Sequence, residues 1–168
     1  MLELLTAWLL AAGLWVPRPG PDRPSGAGPY PACELLSLAE VAGVMGAPRA
    51  FIDSLNSGPN EMTGAQLCSW YVKEGSSEGV MLKLFRGATQ DQAMTLWYGV
   101  RADGDWQMSK VEPVPIAGVG DEALYRPYPV GPGGSLIARK GLHVFLLTGS
   151  PSRDGLAALG KRVAGRLR

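Results

Sequence analysis

Cys33 and Cys68 are the only two cysteines in the chain, and each stands at the threshold of a legible element. A bridge between them would close a loop of 34 intervening residues. On the chain-entropy account, such a loop stabilises the folded state by roughly 3–4 kcal/mol. Two free thiols, a metal site and a thiol nucleophile are the other readings. A zinc site wants three or four ligands, and the chain has one histidine, His143. A thiol nucleophile wants a base, and again His143 is the one imidazole available. In an exported domain a single cysteine pair is most simply a disulfide.

The stretch from Cys33 to Val41 organises the rest of the chain. Ser37 and Glu40 have capping-box spacing, and Leu36 and Val41 have the spacing of a hydrophobic staple. Leu38, Val41, Val44 and Met45 recur at helical intervals. Gly46 is a C-cap candidate and Pro48 a stop. The pattern predicts a short helix over about residues 38–45.

Everything before Cys33 reads as address and tether. Leu4 to Val16 is an apolar-dominated run, too short for a spanning helix, which needs ~20 residues. It matches a signal-peptide core, although Glu3 stands where a basic residue is usual. We therefore expect residues 1–16 to be a signal peptide or signal anchor. Leu10-Ala11-Ala12-Gly13 resembles the front of a lipoprotein box, but the next residue is Leu14 rather than a lipidated cysteine. Residues 17–32 hold six prolines and three glycines. Proline fixes φ and favours extended backbone, so a semi-rigid disordered spacer is expected. The remainder, 33–168, is expected to be one domain.

The net charge of +1 supplies no global field toward nucleic acid or an acidic membrane. Any membrane association would run through the N-terminal hydrophobic segment, if it is left uncleaved. There is no heptad run and no repeat period.

Residues 47–65 are ambiguous between a helical turn and short extended pieces. Gln66–Lys73 alternates, with Cys68, Trp70 and Val72 on one face expected to point inward. Glu74–Gly79 is a hairpin loop and Val80–Arg86 the return strand. Thr89 and Gln92 form a second capping box. Ala93, Leu96, Trp97 and Val100 then mark a helix over about 90–102, with Trp97 in the core. Val111–Ile116 carries two prolines, which confines it to an edge. Gly118-Val119-Gly120-Asp121-Glu122-Ala123 has the spacing of a dinucleotide fingerprint. That fingerprint requires a helix to open on the glycines, whereas Leu124-Tyr125-Arg126-Pro127 reads as strand. Positive φ in a turn before a strand at Glu122–Arg126 is the better use for them. Ser135–Lys140 and Leu142–Thr148 form a hairpin whose second arm is apolar enough to be central. Ser150 as cap and Pro151 at the first position open a last helix. Leu156, Leu159, Val163 and Leu167 form its inward stripe, and Lys161, Arg162, Arg166 and Arg168 load its C-terminal end. The order α, β-hairpin, α, several strands, α describes an α+β fold: a mainly antiparallel sheet with at least one face covered by helices.

In these features the chain resembles a family of actinobacterial secreted lipoproteins and envelope domains of unknown function. The resemblance rests on Cys33-x-Leu35-Leu36-x-x-x-Glu40-Val41, Cys68-Ser69-Trp70, Gly118-x-Gly120-Asp121-Glu122-Ala123, the Arg139-Lys140-Gly141 turn and the C-terminal helix. It covers most of residues 33–168. It implies an extracytoplasmic α+β domain with a structural disulfide, and no catalytic residues to carry over.

The expectation is thus an exported, non-catalytic module without cofactor or metal, binding a small ligand or an unidentified envelope component. Among its aromatic residues Trp106 and Tyr128 are the first candidates for contact because they lie in loops, followed by Tyr125, Trp70 and Tyr71. One alternative is an extracytoplasmic sensor or assembly domain whose role is positional. Another is a hydrolase using distant acids such as Glu61, Asp121 and Glu122, which needs two carboxyls within about 5–10 Å.

Overall fold

The computed structural model describes residues 31–102 and 110–167. The expected leader, most of the expected tether and Trp106 lie outside the described residues. The last two residues of the expected tether belong to the domain instead: Pro31–Leu35 forms a 3-10 turn in which Ala32 is fully buried. This turn carries Cys33, and the disulfide to Cys68 brings it onto the sheet, with a Cα–Cα separation of 5.1 Å.

Helix α1, Leu38–Met45, begins and ends as its sequence dictates. The Ser37 hydroxyl accepts from the Glu40 N–H at 3.2 Å, and the Glu40 carboxylate accepts from the Ser37 N–H at 2.8 Å. Gly46 closes the helix in the left-handed conformation. Leu36 and Val41 are both buried, as a staple requires. Leu38 departs from the expected stripe: it is exposed, and Ala42 turns inward beside Val41.

Eight strands build one antiparallel sheet: β1 Phe51–Ile52, β2 Gly58–Asn60, β3 Ala65–Tyr71, β4 Gly79–Arg86, β5 Val114–Pro115, β6 Glu122–Pro127, β7 Gly134–Lys140 and β8 His143–Gly149. Their spatial order is β1-β3-β4-β8-β7-β6-β5, with β2 beside β3. The apolar arm β8 is central, as its composition implies, and the Pro-bearing β5 stands at an edge. The ambiguous 47–65 segment resolves into the two short strands β1 and β2 rather than a helical turn. Gly118 and Gly120 both take positive φ in the turn before β6, so a strand and not a helix comes after them.

Helix α2, Gln90–Ala102, and helix α3, Arg153–Arg166, lie on opposite faces of the sheet. On one face Cys68, Trp70, Leu82, Phe145 and Leu147 pack with α1 and with Leu156, Leu159 and Val163 of α3. On the other, Ile137, Val144 and Leu146 pack under Trp97 and Val100 of α2. The result is a three-layer α+β fold, with both sheet faces carrying helices. Trp97 is a core residue, 1% exposed.

The start of α3 corrects the expected cap. Ser152, not Ser150, caps the helix, accepting from the Gly155 N–H at 3.2 Å. Ser150 instead prolongs the pairing of β8 with β4: its N–H donates to the Gly79 carbonyl and its hydroxyl accepts from the Gly79 N–H. Strand pairing thus claims the residue that local pattern assigns to the helix.

Candidate functional site

Alternation along β3 sends Cys68 and Trp70 into the larger core and leaves Leu67, Ser69 and Tyr71 on the α2 face. Register then carries Ser69 across the sheet. It pairs with Met81, Met81 with Thr148, Thr148 with Ser135, and Ser135 with Arg126. This cross-strand row is mixed and mostly polar, whereas Phe85, Leu124, Ile137, Val144 and Leu146, on the same face, pack in the α2 cluster. Helix α2 rests on β7 and β8, so the β3–β4 part of this face borders open space among the described residues.

That space is an open cleft of about 460 Å³. Ser69, Tyr71, Met81 and Thr148 line it along the strands, and the hairpin loop with Glu74, Ser76 and Ser77 forms one side. Tyr128, at the end of β6 and 37% exposed, also lines it. A second recess of about 430 Å³ continues along the β1–β2 loop past Asn56 and Asn60, and shares Asp53, Ser69 and Met81 with the first.

The walls are set by local chemistry. Asp53 organises the β1–β2 loop, accepting from the N–H groups of Leu55 and Asn56 and from the Asn56 amide at 2.7 Å. The Asn56 amide first holds the Asp53 carboxyl below the usual carboxylate range; desolvation opposes it, and the two backbone donors add to the lowering. Ser69 is nearly buried; its hydroxyl donates to the Asn56 carbonyl at 3.1 Å, and its N–H donates to Ser57 Oγ at 3.0 Å. Tyr71 stacks on Phe51 with ring centroids 5.5 Å apart, and the Arg49 guanidinium lies 4.8 Å over the Phe51 ring. The charged residues among the described lining are Asp53 and Glu74, with no lysine or arginine.

The expected contact residues divide. Tyr128 reaches the cleft. Tyr125 does not serve as a surface contact: it is 6% exposed and its hydroxyl donates to the Gly133 carbonyl at 3.1 Å, so it is part of the core. Phase explains the difference, because Tyr125 shares a face with the buried Ala123 and its neighbours, whereas Tyr128 lies beyond the strand end. Asp53, Met81 and Thr148 are new to the site. Ser69 had a signal in the alternation of β3, which puts it opposite Cys68; the cross-strand partners had none.

Of the acids considered for hydrolysis, Asp121 and Glu122 both lie against Arg139, at 3.5 and 4.0 Å, while Glu61 stands apart and none of the three lines the cleft. Asp121 also accepts from the Gly141 N–H at 2.7 Å and from Lys140 at 3.1 Å. These contacts lock the β6 entry to the β7–β8 turn. Glu61 comes directly after β2, five inter-strand spacings from β6, or roughly 24 Å at ~4.8 Å each. His143 pairs in register with Arg86 and Lys140, on the face of Phe145 and Leu147, away from the cleft. Burial first, and the neighbouring Arg86 second, push its pKa down, which favours the neutral imidazole. Among the described residues no group of three or more His, Cys, Asp or Glu side chains could hold a metal ion, and no helix is long and apolar enough to cross a membrane.

No protein-family model, curated protein or solved structure matches the chain.

Proposed function

We propose that the chain is an exported, non-catalytic binding module of the bacterial cell envelope, and that the cleft between the β1–β2 loop, the β3–β4 hairpin and Tyr128 is its binding surface. One observation carries this reading. The sheet face across β3, β4 and β8 forms a cleft floored by Ser69, Met81 and Thr148 and walled by an organised loop. The lining is mixed, with Val80, Met81 and the Tyr71 ring among hydroxyl and carboxylate side chains, and placed polar groups of this kind are what fix a ligand's orientation in a binding cleft. The buried Cys33–Cys68 disulfide is consistent with an oxidising compartment. The hydrophobic leader and the resemblance to secreted envelope domains favour the same location. The one imidazole stands away from the cleft, and Asp53 is committed to its own loop, which favours binding over acid–base chemistry.

The test is co-sedimentation of the purified oxidised protein with a native cell-envelope preparation. Thr148→Trp would fill the floor and Tyr128→Ala would open one side. Each variant should retain the melting temperature of the parent within a few degrees and lose at least fivefold of the envelope-bound fraction. Equal retention of all three proteins would reject the cleft as the binding surface.

A further inference from the structure

We infer that the ligand of the cleft is a neutral polyhydroxylated chain, a short oligosaccharide, held along the β3–β4 sheet face. This rests on the binding-module reading and names the ligand class of the same site.

The lining chemistry selects it. Hydroxyls of Ser69, Tyr71, Ser76, Ser77, Tyr128 and Thr148 surround the main cleft. Hydroxyls both donate and accept, which matches a ligand made of hydroxyls and ring oxygens. The charged lining residues described are the carboxylates Asp53 and Glu74. A carboxylate accepts strongly from a hydroxyl and repels an anion. Asp53 has roughly four lone-pair positions, and three hydrogen bonds from Leu55 and Asn56 leave one for a ligand hydroxyl. An anionic ligand would meet two like charges and no described cation in the lining. An apolar ligand would cover the Thr148 and Tyr128 hydroxyls without replacing their water, at about 1–3 kcal/mol for each group left unsatisfied.

Shape and rigidity agree with this choice. Tyr71 is held face to face against Phe51, with 20° between the rings, so it offers a pre-set aromatic surface at little further entropy cost. The C–H face of a sugar ring packs on such a surface while its hydroxyls turn outward. The cleft is open rather than enclosed and continues past Asp53 and Ser69 into the recess beside Asn56 and Asn60. A chain ligand can lie along that path with its ends free, whereas an engulfed small molecule has no closed chamber to fill.

Isothermal titration of the full-length oxidised protein with three probes tests the assignment: chitotetraose as neutral glycan, tetragalacturonate as anionic glycan, and a neutral Gly/Ser octapeptide. The neutral glycan should bind saturably and at least tenfold more tightly than the uronate or the peptide. Tyr128→Ala should weaken it at least fivefold without moving the melting temperature. Glu74→Gln, on an exposed loop, should raise uronate affinity severalfold because it removes one of the repelling charges. Equal or tighter uronate binding, or no glycan binding up to millimolar concentration, overturns the inference. If Thr148→Trp abolishes envelope retention while chitotetraose fails to bind, the ligand class is wrong and the cleft stands. If Thr148→Trp and Tyr128→Ala both leave retention unchanged, the cleft is not the binding surface and this inference fails with it.

Discussion

Glu40 on α1 and Arg166 at the end of α3 form a two-pronged ion pair across 126 residues of sequence, with Arg166 donating to the two carboxylate oxygens at 2.8 and 2.7 Å. The same guanidinium donates to the Leu35 carbonyl at 2.6 Å, and Arg162 lies 3.8 Å from Glu40. Glu40 is also the capping-box acid of α1. One carboxylate therefore closes a helix start and ties the first helix to the last.

This pair makes stability depend on pH. Arg166 first, with the Ser37 donors adding to it against desolvation, lowers the Glu40 pKa to about 2. A carboxyl with a depressed folded pKa contributes stability above its unfolded value of ~4.3, and the contribution is lost as pH falls toward 2. Arg166 is 42% exposed, so solvent screens the pair and its worth at pH 7 is about 1 kcal/mol. Glu40→Gln should cost that much at pH 7 and flatten the urea midpoint between pH 4.5 and 2. A slope equal to that of the parent would contradict this.

Removal of the disulfide tests the staple. Cys33→Ala with Cys68→Ala should lower unfolding stability by roughly 3–4 kcal/mol. Both cysteines are buried, at 4% and 0% exposure. A mild thiol reductant should therefore leave the native protein oxidised and act only as it opens, which mass shift after alkylation reads directly.

Trp97→Ala should cost about 3–5 kcal/mol, since it empties the space between α2 and the central strands. Chemical denaturation measures the loss. Tyr98→Ala, one residue on and 59% exposed, should change stability by less than about 0.5 kcal/mol.

Two glycines with positive φ separate backbone strain from crowding. Gly120→Ala places a methyl against the Arg139 carbonyl, whereas Gly131→Ala meets open space. Both incur the left-handed penalty of roughly 1–2 kcal/mol. Only Gly120→Ala should exceed it, with a fall in melting temperature at least twice as large.

Short-range physics made much of the chain legible. The capping box at Ser37 and Glu40, the Gly46 stop and the Trp97 stripe set α1 and α2, because these depend on residues within one or two turns. Alternation assigned Cys68 and Trp70 to the core for the same reason, and the α+β class comes from the order of such patterns. Tertiary structure decided what involves partners distant in sequence. Strand pairing took Ser150 from the helix and passed its capping role to Ser152. Folding of α3 back against α1 turned Arg166, by local pattern a charge serving the helix dipole, into the partner of Glu40. Register brought Ser69, Met81 and Thr148 into one row and buried Tyr125 while leaving Tyr128 at the cleft. Pairing across a sheet is chosen by the free energy of the whole assembly, and no local window of sequence contains that sum.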